Sequence, residues 1–290
     1  MNQSKKAKTK LKPADFKRAI QAIDVLGATP AVLTKVAELA KDPNTDLETL
    51  CDVMRNDGSL AADIIRISNS PYYAPATLHG SLASAVNSIG LREVIRVVNL
   101  SLARQLFARD LPSYGVTAHD YWSASIASAL VMEALAKQSG LNQEDAYTIG
   151  ILHALGRVLI NRVIEEFGAT IYWNENQPIE EWERGAVGFD YAEAGALLLE
   201  HWRFPTPTCE VIRGQLNLCD TTEPVSMLNA LQFTRRLLAL TGVSFENEGW
   251  QVPVMDPYML ATGLPPEHLA QFVDTCRDDF NRILQSVDLK

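Results

Sequence analysis

The run GILHALGRVLI, Gly150 to Ile160, decides how the chain is read. Its apolar residues recur at helical spacing, so it reads as the inside of a buried helix. It also carries one imidazole, His153, followed by Ala154 where an acid would make a ligand pair. Upstream, Asn142 caps a single helix, QEDAYTIGILHALGRVLINRVIEEFG, whose acids Glu144 and Asp145 fall in the first turn, where the helix dipole favours them.

Working outward, nearly every segment has the same period and none alternates long enough to be a strand. Thr29 and Pro30 open TPAVLTKVAELAKDP, with Val32, Leu33, Val36 and Leu39 as its stripe and Pro43 as its stop. Thr45 caps TDLETLCDVMRNDG, whose apolar face is Leu47, Leu50, Val53 and Met54. SLAADIIRISNSPYYA turns Leu60, Ile64 and Ile67 inward until Asn69, Ser70 and Pro71 break it. Ser81 caps LASAVNSIG, Gly90 interrupts, and LREVIRVVNLSLARQLF continues, with Arg92 and Arg96 one turn apart on a face read as solvated rather than as an anion site.

The segment LPSYGVTAHD, with Pro112 and Gly115, is the predicted boundary between two helical lobes. Beyond it lie DYWSASIASALVMEALAKQSG, stopped by Gly140, then helices at DYAEAGALLLEHW, PTCEVIRGQL, PVSMLNALQFTRRLLAL and PPEHLAQFVDTCRDDFNRILQSV. The fold class is all-α, two closely packed helical lobes. Residues 1–14 form a basic tail, 15–115 the N-terminal lobe, 116–241 the C-terminal lobe, and 242–290 a loop plus a helix packed on them.

The 290 residues are 47% hydrophobic and 21% charged, the composition of an ordinary globular protein. A net charge of −9 repels phosphate backbones and anionic headgroups, so neither nucleic acid nor membrane is an expected partner. The exception is the tail, where Lys5, Lys6, Lys8, Lys10 and Lys12 crowd together; it reads as a solvated end. Four cysteines, Cys51, Cys209, Cys219 and Cys276, show no CxxC pair and no zinc spacing, which fits a reduced cytoplasmic setting. No secretory leader is read, because Pro13, Asp15 and Lys17 stand where an apolar core would be.

Taken together, NDGSLAADIIRISNSPYYA, LASAVNSIGLREVIRVV, GILHALGRVLI, GFDYAEAGALLLEHWRFP and VIRGQL resemble the HDOD family, the bacterial HD-related output domains, in order and spacing from about Gly27 to about Leu240. Its most specific pieces are Asn69-Ser70 before Tyr72-Tyr73, the turn at Gly90, and Trp202 to Pro205. The resemblance implies an HD-domain-like helical fold related to metal-dependent phosphohydrolases, whose active members hold divalent metal with a His, a His-Asp dyad and a later Asp. A metal that activates water needs several such ligands and an open position.

Against that pattern Ala124 occupies the first position, His153 and Ala154 the dyad, and Thr234 the last. His153 is therefore read as a core histidine, with no metal and no cofactor expected, and Gly150 and Gly156 as packing positions. Asn69 is read as satisfying backbone where its helix ends, Asp190 as an N-cap, Trp202 as a core anchor before Pro205, and His201 as partly buried. Arg157 either binds an anion or pairs with Glu165 or Glu166, and the pair is favoured; Arg213 is the other candidate anion contact.

The expected function is a non-catalytic regulatory module that binds protein partners in a signalling pathway. The alternatives are a metal-dependent phosphohydrolase or a nucleotide or cyclic dinucleotide phosphodiesterase with Asp190, Glu193, His201 or another residue as substitute ligands, and a cleft that binds a nucleotide or cyclic dinucleotide without chemistry.

Overall fold

The computed structural model describes residues 32, 35, 36, 38, 39, 46–55, 57–166, 171–174, 176–217, 225–241 and 262–286. The readings at Thr29, Pro30, Pro43, Thr45, Cys219 and the basic tail lie outside them. Helix α1 (Leu47–Arg55) is capped by Asp46, whose Oδ1 accepts from Thr49 N at 2.7 Å. It buries Leu50, Cys51 and Met54 and leaves Leu47 exposed. Helix α2 (Gly58–Ser68) buries Leu60, Ile64 and Ile67, as its period requires.

Helix α3 (Leu82–Leu106) begins with a capping box in which Ser81 and Ser84 satisfy each other's backbone. Gly90 splits it with φ 80°, a conformation that costs a residue with Cβ and that glycine takes readily. A 3-10 turn, Pro112–Tyr114, then leads to α4 (Ala118–Ser139), which ends on Gly140 at φ 70°. At the segment read as the lobe boundary Leu111, Ser113 and Tyr114 are buried, and Leu111 pairs with Val116 across the turn.

Helices α5 (Gln143–Leu152) and α6 (Gly156–Glu166) replace the single helix expected there. The ladder tightens at the break: Leu155 N–H donates to Leu152 O, Arg157 N–H to Ala154 O and Val158 N–H to Leu155 O, all at about i+3 spacing, 2.9 to 3.0 Å. The cause is close approach on two different sides. A Cβ on Gly150 would stand 2.6 Å from Ala129 Cα of α4, and one on Gly156 would stand 2.0 Å from Tyr191 O. Two tight contacts in different directions bend a run whose local pattern is one helix.

Helix α7 (Ile179–Val187) was not anticipated in sequence. Helices α8 (Tyr191–His201) and α9 (Thr206–Gly214) follow, joined by the turn Trp202 to Pro205. There Arg203 takes φ 61° and Phe204 N–H reaches back to Leu199 O at 2.9 Å, a Schellman closure that drives Trp202 and Phe204 into the core. His201, expected to be partly buried, is exposed, because this closure turns the chain inward one residue after it. Helices α10 (Met227–Thr241) and α11 (Leu269–Ser286) complete the described chain.

Helix α4 is the central member, packed by α5, α10 and α11, while α3 joins α1 and α2 to α5. Among the described residues there is no strand, and no helix is long and apolar enough to cross a membrane.

Candidate functional site

The break between α5 and α6 is where the sequence placed its candidate site. Two of its backbone carbonyls are met by side chains from other parts of the fold. Gln215 Nε2 donates to His153 O at 2.8 Å, and Tyr121 OH donates to Ala154 O at 2.5 Å. Arg235 of α10 in turn donates to Gln215 O at 2.8 Å. The turn is thus clamped by α4, by the end of α9 and, at one remove, by α10.

His153 is buried, and its Nδ1 lies 2.8 Å from Gly150 O. A carbonyl only accepts, so it is Nδ1 that donates in this contact. The other three positions supply no imidazole or carboxylate: Ala124, Ala154 and Thr234 are all buried, two without a polar side-chain atom and one a hydroxyl. Among the described residues no three His, Cys, Asp or Glu side chains come together to hold a metal ion. The donor set does not fit a divalent metal.

The substitute ligands are engaged in other work. Asp190 caps α8 through Glu193 N and also receives Arg184 Nη2 at 2.7 Å. Glu193 and Glu200 take Arg213 Nε and Nη2 at 3.1 and 3.0 Å. Arg213 is therefore a partly exposed ion-pair residue rather than an open anion cradle.

Arg157 departs most from expectation. It does not pair with Glu165 or Glu166, which are two turns or more along α6 and beyond reach of its side chain; those acids face Arg162 at 3.8 and 3.5 Å. Instead Arg157 points inward at zero exposure, its guanidinium 4.0 Å from the centre of the Tyr191 ring and its Nε 3.9 Å from Glu183 Oε1. Glu183, also at zero exposure, comes from α7. Its Oε1 accepts from Tyr114 OH at 2.9 Å and its Oε2 from Tyr191 N–H at 2.8 Å.

Burial of this carboxylate is offset by the cation and two donors. Desolvation still holds the Glu183 carboxyl up at about 7, against the lowering pull of Arg157, Tyr191 N–H and Tyr114 OH. Burial beside that carboxylate also lifts the Tyr114 phenol well above its ordinary range. The cluster ties the 3-10 turn, α6, α7 and α8 together and offers no face to solvent at Arg157 or Glu183.

Arg96, on the face read as solvated, is instead a largely buried cation. Arg96 Nη2 lies 2.6 Å from Glu133 of α4 and its Nη1 3.2 Å from Tyr72 OH, with the Tyr147 ring centre 5.0 Å away. Arg92 keeps the expected exposure and pairs with Glu144 at 2.8 Å. Tyr73 OH donates to Glu93 at 2.7 Å, which explains the paired tyrosines after Ser70. Asn69 grips a loop rather than its own helix end: Nδ2 donates to His79 O at 2.9 Å and Oδ1 accepts His79 N–H at 2.7 Å. Ser70 is buried, its carbonyl accepting from Tyr73 N–H and Ala74 N–H.

Sequence reasoning missed Glu183 and α7. The available signal was Ile179, Trp182 and Val187 at helical spacing after Pro178, obscured by four charged residues in nine.

Comparison with known proteins places this arrangement. The sequence pattern of the HDOD domain matches residues 26–218. A protein of Treponema pallidum (strain Nichols) is 24% identical over 201 residues, 68% of this chain and 38% of that protein, so the chain spans well under half of that relative. Among solved structures, an HDOD domain protein of unknown function from Geobacter sulfurreducens superposes with a TM-score of 0.67 at 17% identity, over 96% of this chain and 98% of that one. A candidate signal transduction protein from Marinobacter aquaeolei VT8 gives 0.66 at 23%, over 94% and 64%. A candidate phosphohydrolase from Shewanella amazonensis SB2B gives 0.65 at 19%, over 93% and 98%. At these identities the shared property is the helical fold.

Proposed function

The chain belongs to the HDOD domain family, and on that premise we propose that it acts without catalysis, as a regulatory module that binds protein partners in a bacterial signalling pathway. One observation carries the reading. The four positions where HD chemistry would gather ligands hold a single imidazole, with Ala124, Ala154 and Thr234 packed around the fold in place of the rest. Loss of ligands removes a way to activate water while leaving a helical core intact, and a stable core with free outer surfaces is what a binding module requires.

The nearest buried charges support the same reading. Arg157 and Glu183 face each other inside the protein as opposite charges, and Tyr114 and Tyr191 supply the carboxylate's hydrogen bonds, which supports a role in cohesion rather than turnover. Arg213 is held by two glutamates and Arg157 lies out of solvent, so nothing favours a nucleotide site over a protein surface.

The test combines metal analysis with turnover. Protein purified without chelator is expected to carry substoichiometric Mn, Fe, Ni and Zn and to leave bis(p-nitrophenyl) phosphate and cyclic dinucleotides uncleaved. Stoichiometric metal together with cleavage that disappears in His153→Ala would replace this reading with that of a phosphohydrolase.

A further inference from the structure

The face that α7 turns inward is Ile179, Trp182, Glu183 and Val187, while Glu181 and Arg184 stay exposed. Three of the four are apolar, and the fourth is an acid at zero exposure. Among the described residues that acid accepts two hydrogen bonds, from Tyr114 OH and Tyr191 N–H. An ionised carboxylate offers about four acceptor sites, so this arrangement serves the charged form only by half. The neutral acid fits the same partners: its O–H can donate to the Tyr114 hydroxyl, which also accepts, while its other oxygen keeps Tyr191 N–H.

Charged and titratable groups reach Glu183 from every side. Arg157 comes from α6, Tyr114 from the 3-10 turn, Tyr121 from α4, and Asp190 and Tyr191 from the start of α8. Arg235 of α10 lies 5.8 Å from the Tyr191 ring centre, and on α7 itself Arg184 is paired with Asp190. Arg157 Nε, at 3.9 Å, attracts the carboxylate without hydrogen bonding to it. Burial first, then Asp190, push the carboxyl up against the pull of Arg157, Tyr191 N–H and Tyr114 OH.

Less holds α7 than holds its partners. Helix α6 packs on α8, and α8 on α9, so Arg157 and Tyr191 belong to a common body. Among the described helices α7 packs chiefly on α6. Its other ties are the edge-on contact of Trp182 with Tyr114, ring centres 5.1 Å apart, and the carboxyl itself. At its end Gly188 takes φ 94° with nothing near its Cβ position, a free pivot.

We propose that α7 is a pH-responsive latch, closed on α6 and the 3-10 turn while the Glu183 carboxyl carries its proton, and lifting about Gly188 when that proton leaves. Lifting takes the carboxylate into water, where all of its acceptor sites are met, and uncovers Ile179, Trp182, Val187 and the Tyr114 ring. The closed form binds the proton more tightly than the lifted one, so the lifted form gains population as pH rises and loses it as pH falls. The latch goes beyond the regulatory reading and does not depend on it.

The test follows amide exchange of the full chain by mass spectrometry from pH 5.5 to 8.5, at zero and low urea, each rate corrected for its intrinsic pH dependence. With a closed carboxyl at about 7 and a lifted one at its ordinary 4.5, protection over α7 is expected to fall roughly 25-fold from pH 5.5 to 8. Its urea dependence should be weaker than that of α4 amides, the mark of a local opening. Glu183→Gln keeps the shape and cannot ionise, so its α7 protection should be the same at both pH values. If that variant does not fold, Tyr114→Phe removes a donor to the carboxylate and should move the midpoint of the fall to higher pH. Protection of α7 that does not change with pH, exchange of α7 only together with α4 and with the same urea dependence, the full decline in a folded Glu183→Gln protein, or a midpoint unmoved or lowered in Tyr114→Phe would overturn the proposal.

Discussion

Glu183 Oε1 stands 3.9 Å from Arg157 Nε, and neither side chain has any exposure to solvent. The contact is too long to be a hydrogen bond, so the carboxylate depends for those on Tyr114 OH and Tyr191 N–H. Tyr121 and Asp190 are further titratable groups that act on the pair, and Arg235 lies over the Tyr191 ring.

This predicts a pH dependence of stability. The folded carboxyl titrates at about 7, raised chiefly by burial from its ordinary 4.5. Between those values the native state binds more protons than the unfolded chain, so this group's contribution is full below about pH 4.5 and is lost as pH rises through about 7. Urea unfolding from pH 4.5 to 8 is expected to show that decline, at most roughly 3 kcal/mol. In Glu183→Gln the component should vanish. An unchanged pH profile in that variant would show that the decline comes from other groups.

Gly156→Ala is expected to destabilise by several kcal/mol or prevent folding, since the new Cβ would meet Tyr191 O at 2.0 Å and Gly195 N at 2.6 Å, both backbone. Gly185→Ala is the counterpart: it lies within α7, nothing stands within 4 Å, and the helix should gain about 0.5–1 kcal/mol. Denaturant midpoints of the two variants check both signs.

Asn69→Ala removes two hydrogen bonds to His79 and leaves that residue's N–H and C=O without them, at a cost of about 1–3 kcal/mol. Amide exchange should accelerate over residues 75–81 more than in α2. Uniform acceleration across the chain would argue against a local grip.

A double-mutant cycle on Arg96 and Glu133, with Met and Gln replacing them, is expected to give a coupling of about 1–3 kcal/mol, because the pair is largely buried and Arg96 also meets Tyr72. The exposed pair Arg282–Asp279 should couple by less than about 0.5 kcal/mol. Equal couplings would mean that burial does not govern these pairs.

Helix starts and stops were largely legible in sequence. Ser81, Asn142 and Asp190 do what was read from them, since an N-cap is a bond between a side chain and a backbone group three residues away, and Gly140 stops its helix because glycine readily takes the left-handed conformation there. The failures share another cause. Arg96 reads as a solvated charge because a charged residue in a helical pattern is usually solvated, Glu183 is passed over for the same reason, and Arg157 is assigned to acids on its own helix. Their partners lie 37 and 26 residues distant, a distance across which periodicity carries no information.

What the sequence determined by itself is the helical composition, most of the caps, the core stripes, and the absence of acid beside His153, because these depend on residue type and on spacing within a few turns. The tertiary structure decided where the long helix breaks and which charges go inside. Those outcomes depend on how close α4 comes to Gly150, how close α8 comes to Gly156, and which hydroxyl or guanidinium another helix brings to a buried carboxylate. Such distances are set by packing many elements at once, and no local stretch of chain contains them.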